Sequence, residues 1–508
     1  LHFYKTTKKL HLRRLKKTNP MSNIKISVAK GDGIGPEIMD AVLSIFNAAQ
    51  VPLTYEFIDM GKSFYDKGFS TGMTPEAKES VETNGILFKG PMETPKGKGV
   101  KSINVTARKT WSTFANRRHF RSLNGVETVF SKAGIPIDIT IVRENIEGTY
   151  GGIEHMLTQD VALCRRFITR PGSEEVHRFA FEMARKEGFT QVTCAHKANI
   201  MKITDGLFLE VFYEIAKEYP EIEANDIIVD DLAMKLVAKP QTFQVVVLTN
   251  LQGDIMSDLC AGLVGGLGFA PSANIGENIS IFEAVHGTAP DITGKNIANP
   301  TALLLSGLMM LRHLGLMEYA VKIENALLYT LEKGIHTCDF GDKNTKSCNT
   351  TEFANAIINN LGNEPGSNKA RIGKATGKFT PPTKPLTQKV MVSPRQAGVV
   401  EQVVGIDLFV ESQETADKIA PIFQKHLKPG LKLVMISNRG TQVWPTGSVF
   451  TECVDHYRVR IEAESDYKTS QAEMLELSSR IAQDIYITST EMLRKYGDKI
   501  GYSLAQGQ

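Results

Sequence analysis

Three arginines and three aspartates in this 508-residue chain have the types and settings for polyanion chemistry. Arg108 and Arg118 lie ten residues apart, and Arg143 sits near the end of a strand-like run, IDITIVREN. Guanidinium groups near strand and helix ends can clamp carboxylates bidentately. A lone arginine is more often a solvated surface residue, so the reading rests on the three together. Ser102 and Asn104, in SINVTAR, are short polar side chains just ahead of a helical run. Asp254 and Asp258, in NLQGDIMSD, are i and i+4 and share a helix face. Their like charges cost stability unless a cation lies between them. Asp230 ends another strand-like run, IIVD. Hard oxygen donors with no His or Cys nearby suit Mg²⁺ or Mn²⁺, not zinc. For Asp254 the plainer alternative is an acid complementing a helix dipole.

These residues need a scaffold, and the pattern of the chain implies one. IKISVA (24–29) reads as a buried strand, followed by GDGIGPEI and a helical run from Pro36 to Ala49. Strand-like segments at 86–90, 137–145, 191–197 and 244–250 alternate with helical runs such as 174–186 and 205–218. That alternation predicts an α/β fold with a largely parallel sheet. GDGIGPEI spaces its glycines as GxGxG, not GxGxxG, so a tight turn explains it as well as phosphate binding does. EAVHGTAPDITGKNIANP (283–300) is a polar loop leading into a buried helix at 301–311. Loops of this size inside a compact domain are often functional. Residues 363–389 are rich in Pro, Gly and Lys and read as a linker. Beyond them, strands at 403–410, 431–437 and 456–463 and helices at 414–427 and 470–483 suggest a small α+β, ferredoxin-like module.

Composition bounds the remaining possibilities. The chain is 42% hydrophobic and 23% charged, which excludes a disordered protein. The longest apolar stretch, Leu303 to Leu311, is interrupted by Ser306 and Gly307 and suits a buried helix, so no membrane span is expected. The net charge is +3, but residues 1–20 hold seven Lys/Arg and no acid, and the rest of the chain is mildly acidic. Nucleic-acid binding therefore has no electrostatic support beyond the tail. That tail reads either as an organelle presequence or as sequence upstream of a start at Met21. The second reading places the protein in a bacterial cytoplasm, and the first in a mitochondrial matrix. Six scattered cysteines with no CxxC pair fit a reducing compartment.

Taken in order, GDGIGPEI, SINVTAR, VRENIEGTYGGIEH, HKANIMKITDG, NLQGDIMSD and EAVHGTAPDITGKNIANP resemble the isocitrate and isopropylmalate dehydrogenase family of β-decarboxylating dehydrogenases. The resemblance covers roughly 21–362. It implies an α/β fold of two lobes around a cleft. A large domain would span 21–113 and 265–362, and a small domain 114–264 with a dimer clasp near 148–171. A separate C-terminal domain would follow at 390–508. It implies that Ser102, Asn104, Arg108, Arg118 and Arg143 hold isocitrate, with Thr94 and Asn199 near the substrate and the nicotinamide. Tyr150 and Lys197 would be the acid/base pair, and Asp230, Asp254 and Asp258 would hold Mg²⁺ or Mn²⁺. Lys197 and Asp230 would cross from the second subunit of a homodimer. The loop 286–299, with His286, Gly287, Asp291, Ile292 and Asn299, would hold the adenosine part of the cofactor. Ser102 and Asn104 resemble the isocitrate branch, since isopropylmalate presents an apolar group there. His119 departs from the pattern, which commonly has proline after the second arginine, and leaves the loop beyond Arg118 open.

An NADP site wants cationic or tyrosine donors for the 2′-phosphate. This chain has Asp291 and Ile292 where NADP-dependent relatives tend to have Lys-Tyr, so NAD is expected, with NADP as the alternative. Three further readings remain. One is a different substrate of the same family, such as isopropylmalate, homoisocitrate or tartrate. The second is a non-catalytic regulatory subunit, which the intact set Tyr150, Lys197, Asp230, Asp254 and Asp258 disfavours. The third concerns 390–508 alone, as a ligand-binding regulatory module, against which a dimer-contact domain is the preferred reading. Phosphorylation at Ser102 would repel a substrate carboxylate.

Overall fold

The structure, a computed structural model, describes residues 23–94, 102–371, 380–382, 399–447 and 450–504. The basic tail, most of the expected linker and the first residues of the expected C-terminal domain lie outside the described residues.

One sheet of ten strands carries the core. In chain order they are β1 (Ile24–Ala29), β2 (Leu53–Phe57), β3 (Ile86–Lys89), β4 (Ala115–Arg121), β5 (Asp138–Glu144), β8 (Gln191–His196), β9 (Glu223–Ile228), β10 (Val245–Leu248), β11 (Pro271–Ile275) and β12 (Ser280–Ala284). Between β5 and β8 a separate two-stranded ribbon, β6 (Glu154–Met156) and β7 (Ala162–Cys164), stands apart. The spatial order is β2-β1-β3-β12-β11-β4-β5-β10-β8-β9. The two flanks are parallel, as the sequence predicts. The middle is not: β12, β11, β4 and β5 pair antiparallel. This is the main departure from the largely parallel expectation. Chain segments from both lobes meet along this antiparallel seam, and the candidate site is built on it.

Each flank buries its own core. On one side the helices Gly35–Ala48, Thr301–His313 and Met317–Glu332 bury Phe46, Leu303, Leu308 and Leu328 with Ile26 and Phe88 of the sheet. On the other, helices Arg170–Glu187 and Thr204–Ala216 bury Phe181, Phe208 and Phe212 over Val192 and Val245. Helices Val229–Ala238 and Asn250–Leu263 cover the opposite face with Leu232, Leu236 and Cys260. Removing these apolar faces from water contributes most of what holds each lobe together.

Two expectations are corrected here. Asp230 does not end a strand; β9 stops at Ile228, and Asp230 opens the helix Val229–Ala238. Its carboxylate in the first turn complements the helix dipole. No loop follows Arg118 either, because His119 continues β4 opposite Thr140, and its ring bonds Asp138 at 2.9 Å. The start of the expected linker is stitched to the core: Ala370 N–H donates to Asn325 Oδ1 at 2.8 Å, and Asn368 Nδ2 to the Ser122 carbonyl at 2.9 Å.

The C-terminal domain is an antiparallel sheet of β13 (Glu401–Glu411), β14 (Leu431–Asn438), β15 (Thr441–Trp444), β16 (His456–Ala463), β17 (Tyr486–Tyr496) and β18 (Lys499–Ile500), ordered β15-β14-β16-β13-β17-β18. Helices Ala416–Gln424 and Gln471–Ile481 cover one face with Ile419, Phe423, Leu477 and Ile481. Its four main strands follow the ferredoxin-like β-α-β-β-α-β order. All six cysteines are free.

Candidate active site

Strand alternation places the polar residues. In β4, Asn116 and Arg118 face one side of the sheet. Asn116 sits opposite Arg143 of β5 and Asn274 of β11, and Ser272 of β11 sits opposite Glu283 of β12. The antiparallel seam thus carries a buried polar stripe. Asn116 Nδ2 donates to Ser272 Oγ and to Asn274 Oδ1, both at 2.7 Å, and its Oδ1 accepts from Arg118 Nε at 2.8 Å.

The helix Asn250–Leu263 lies over this stripe. It approaches so closely that a Cβ on Gly253 would lie 2.7 Å from Cβ of Arg143. Asp254 is the hub. Its Oδ1 accepts from Arg143 and, at 3.2 Å, from Arg118; its Oδ2 accepts from the Tyr150 hydroxyl at 2.6 Å. Arg118 also reaches Asp258 at 3.4 Å and Ser257 Oγ at 2.7 Å. Arg143 donates to Asn250 Oδ1 and stacks over the Tyr150 ring, 4.8 Å from its centroid. The turn carrying Tyr150 is held by Lys109, whose ammonium donates to the Tyr150 carbonyl at 2.6 Å.

Arg108, on the helix Ile103–Thr110, donates to Glu283 at 2.9 Å, and Glu283 also pairs with fully buried Lys89. Neither Glu283 nor Lys89 stands out in the sequence reading. Each is an ionisable residue in a short, largely apolar strand, ILFK and SIFEA, and that pattern alone does not mark it as buried.

Electrostatics follow from the crowding. Burial pushes Asp254 upward, but Arg143, Arg118 and the Tyr150 hydrogen bond outweigh it and hold the carboxyl below its usual range. Asp258 is raised, by burial first and by Asp254 beside it. Tyr150 is raised by burial and by its bond to Asp254. Burial and the like charges of Arg108 and Arg118 bring Arg143 down to about 10. The cluster carries more guanidinium charge than Asp254 and Asp258 neutralise, which suits a polyanionic ligand with several carboxylates.

Thr94 Oγ1 donates to Ser102 Oγ at 3.3 Å, and Ser102 occupies the N-cap position of the Arg108 helix. Asn104 Oδ1 and Arg108 Nε are buried without a hydrogen-bond partner. Lys197 and Asp230 are elsewhere. They pair with each other, and Asn199 is exposed on the same turn as Lys197.

Within one copy, among the described residues, no three His, Cys, Asp or Glu side chains are arranged to hold a metal ion. Asp254 and Asp258 supply two hard oxygen donors, and the third expected ligand, Asp230, is on the Lys197 side. The donor chemistry of Asp254 and Asp258 fits Mg²⁺ or Mn²⁺, and these two carboxylates are the residues of this copy that would hold it.

The expected cofactor loop rests on the glycine motif. Ile34 N–H donates to the Thr288 carbonyl at 3.0 Å, and a Cβ on Gly33, at φ +61°, would lie 2.1 Å from that oxygen. Close backbone approach thus explains the GxGxG spacing. Glu37 accepts from Asn296 N–H at 3.0 Å. Of the residues expected to touch cofactor, Gly287 and Asp291 are exposed and Ile292 packs partly on the core. His286 Nε2 is buried without a partner. Asn299 is turned inward, donating to Asp339 and accepting from Thr301 N–H, both at 3.0 Å, so its part is to fix the loop's end.

Known proteins match this architecture. The family described as isocitrate/isopropylmalate dehydrogenase matches residues 25–357, and the C-terminal domain of bacterial isocitrate dehydrogenase matches 401–508. An isocitrate dehydrogenase [NADP] of Thermus thermophilus is 45% identical over 95% of this chain and 96% of its own. A mitochondrial isocitrate dehydrogenase [NAD] subunit 2 of Schizosaccharomyces pombe is 46% identical over 68% of this chain and 89% of its own. A crystal structure of a Thermus thermophilus protein superposes with a TM-score of 0.87 at 45% identity, over 95% of this chain and 96% of that one. The chain belongs to the isocitrate/isopropylmalate dehydrogenase family.

Proposed function

We propose that this protein oxidises and decarboxylates isocitrate to 2-oxoglutarate and CO₂, with NADP as hydride acceptor, as a homodimer with shared sites. The observation that carries the substrate is the grouping of Arg108, Arg118 and Arg143 around Asp254 and Tyr150. These guanidiniums would hold and orient the substrate carboxylates, while Ser102 and Asn104 would offer short polar contacts. Tyr150, protonated and already hydrogen-bonded, is placed to give a proton to the substrate carbon after CO₂ leaves. Lys197 of a second copy is its acid/base partner, as Asp230 of that copy is the third ligand. Asp254 and Asp258 would hold a divalent cation, which would supply Lewis acidity, and a bound nicotinamide would supply the hydride acceptor. Tyr150→Phe should slow 2-oxoglutarate formation more than it slows reduction of added oxalosuccinate; equal losses would remove Tyr150 from the proton step.

A second copy is supported by surface chemistry. Met234 and Val237 on one helix and Leu251 and Ile255 on the helix packed beside it are more than 40% exposed. Such a contiguous apolar patch beside the Lys197–Asp230 pair suits a subunit interface.

The cofactor reading departs from the sequence expectation of NAD. The Thermus thermophilus relative, matched over 95% of this chain, is named for NADP, and the Schizosaccharomyces pombe relative, named for NAD, matches 68% of it. Asp291 is exposed at a turn, where solvent screens its charge and weakens the argument drawn from it. Measuring kcat/KM with both cofactors in a Mg²⁺-containing isocitrate assay decides: a preference for NAD would reinstate the Asp291 argument. A bacterial cytoplasm is the location that the whole-chain relative supports over the mitochondrial alternative. Among the described residues no helix is long and apolar enough to cross a membrane.

A further inference from the structure

We infer that Asp205, held by Arg166, is a positioning residue for Lys197. The inference rests on the acid/base reading of Lys197 given above. Asp205 lies in the first turn of the helix Thr204–Ala216, where an acid ordinarily faces solvent and complements the helix dipole. Here it is fully buried, at 0% exposure. Both oxygens are committed outside its own helix. Oδ2 accepts the backbone N–H of Lys197 at 2.7 Å, and Oδ1 forms an ion pair with Arg166 at 2.7 Å that is not aligned as a hydrogen bond.

The turn thus capped is the one that bears Lys197 and Asn199. Its far end closes on itself, with Ile200 and Met201 N–H both donating to the Lys197 carbonyl. On its other flank Nδ1 of His196 accepts from Ala198 N–H at 3.0 Å, which places the ring proton on Nε2, against Asp226 at 2.9 Å. Only Asp205 holds the Lys197 N–H. Without that acceptor the His196–Lys197 peptide plane is free to rotate, and the ammonium moves with it. A misplacement of about 1 Å can cost about a hundredfold in rate.

Arg166 connects this turn to the rest of the site. It follows the ribbon strand β7 and also donates to Thr204 Oγ1 at 3.0 Å and to Thr249 Oγ1 at 3.2 Å. Thr249 is the N-cap residue of the helix that carries Asp254 and Asp258. A buried ion pair is weak support for stability, because desolvation offsets the Coulomb gain. Its retention here is explained by what it fixes: the ribbon, the start of the Asp254 helix and the Lys197 turn, in one arrangement.

The test uses the full-length protein with isocitrate, Mg²⁺ and its preferred cofactor. Asp205→Leu, which removes the acceptor, should lower kcat about tenfold or more and leave the isocitrate KM within about twofold, since positioning and not binding is lost. The paired change Arg166→Met with Asp205→Leu should bring the thermal midpoint back toward the parent while kcat stays low. Recovery of kcat together with the midpoint would show a purely structural pair and overturn the inference. So would an unchanged kcat per folded molecule in Asp205→Leu, provided Lys197→Met is inactive. If Lys197→Met keeps its kcat, the acid/base reading fails first and takes the inference with it.

Discussion

Arg143 and Asp254 show how tightly the site is drawn around single atoms. Gly253 precedes Asp254 on its helix, and its hydrogen stands against Arg143 Cβ and Cγ. Ordinarily alanine would stabilise a helix over glycine by about 1 kcal/mol. Here the added methyl, 2.7 Å from Arg143 Cβ, must move either the helix or the arginine. Gly253→Ala should therefore destabilise by about 1–3 kcal/mol. It should also raise the isocitrate KM, because Arg143 and Asp254 separate. A more stable variant with unchanged KM would refute this. The sequence made the arginines and the two helix aspartates legible, because charge type and spacing survive without a structure, and Tyr150 through the family resemblance. It hid Gly253, Glu283, Lys89 and Asp205, whose importance comes from burial. A carboxylate in SIFEA or TDGLF looks like any other until its neighbours are known to exclude water.

Elements are legible in proportion to the regularity of their apolar pattern. The helix Arg170–Glu187 is readable because its buried residues recur at helical spacing, from Ser173 through Val176, His177, Ala180 and Phe181 to Ala184. Strand β4 is not, because ANRRHFR carries charge on both faces. Asn116 and Arg118 turn toward the site, while Arg117 pairs with Glu187 on the opposite face. Such a strand has no apolar alternation to detect, and it makes two of the three antiparallel pairings in the sheet's middle. His177 gives the helix Arg170–Glu187 a pH signature. It is fully buried against Phe208 and Phe212, and its Nε2 bonds the Phe208 carbonyl at 2.9 Å. Burial pushes its pKa from 6.5 down to about 3. Between those values the unfolded chain binds a proton that the folded chain does not, so stability is lost as pH falls below about 6.5. From pH 6.5 to 5 this one group accounts for about 2 kcal/mol. His177→Phe should flatten the dependence by that amount in urea unfolding at the two pH values. Parallel slopes for parent and variant would exclude His177 as a source of acid lability.

At the scale of the molecule, the C-terminal domain meets the core through the ribbon and one helix. Thr158 Oγ1 donates to Asp455 at 3.1 Å, Arg165 pairs with Glu491 at 3.0 Å, and Lys499 reaches Glu210 at 3.4 Å. The charged members are well exposed and contribute little to stability. Two of the three contacts fall on the ribbon segment expected to clasp a partner, which would connect the extra domain to assembly. Removing residues 390–508 and measuring mass in solution should therefore weaken the dimer; a full-strength dimer with altered response to small molecules would favour a regulatory domain. The division of the site makes a stronger demand. Tyr150, Asp254 and the arginines bond to one another, while Lys197 and Asp230 bond to each other. If each working site takes Tyr150 from one copy and Lys197 from the other, two inactive variants must repair one another. In a heterodimer of Tyr150→Phe with Lys197→Met, one site receives both substitutions and the other receives neither. Random reassortment makes half the dimers mixed, each with one intact site of two, so activity should rise from near zero to about a quarter of the parent value. Mixing after mild dissociation, with either variant alone as control, reads this directly. A site complete within one copy would stay dead in the mixture, because every copy would still lack one of its two acid/base groups.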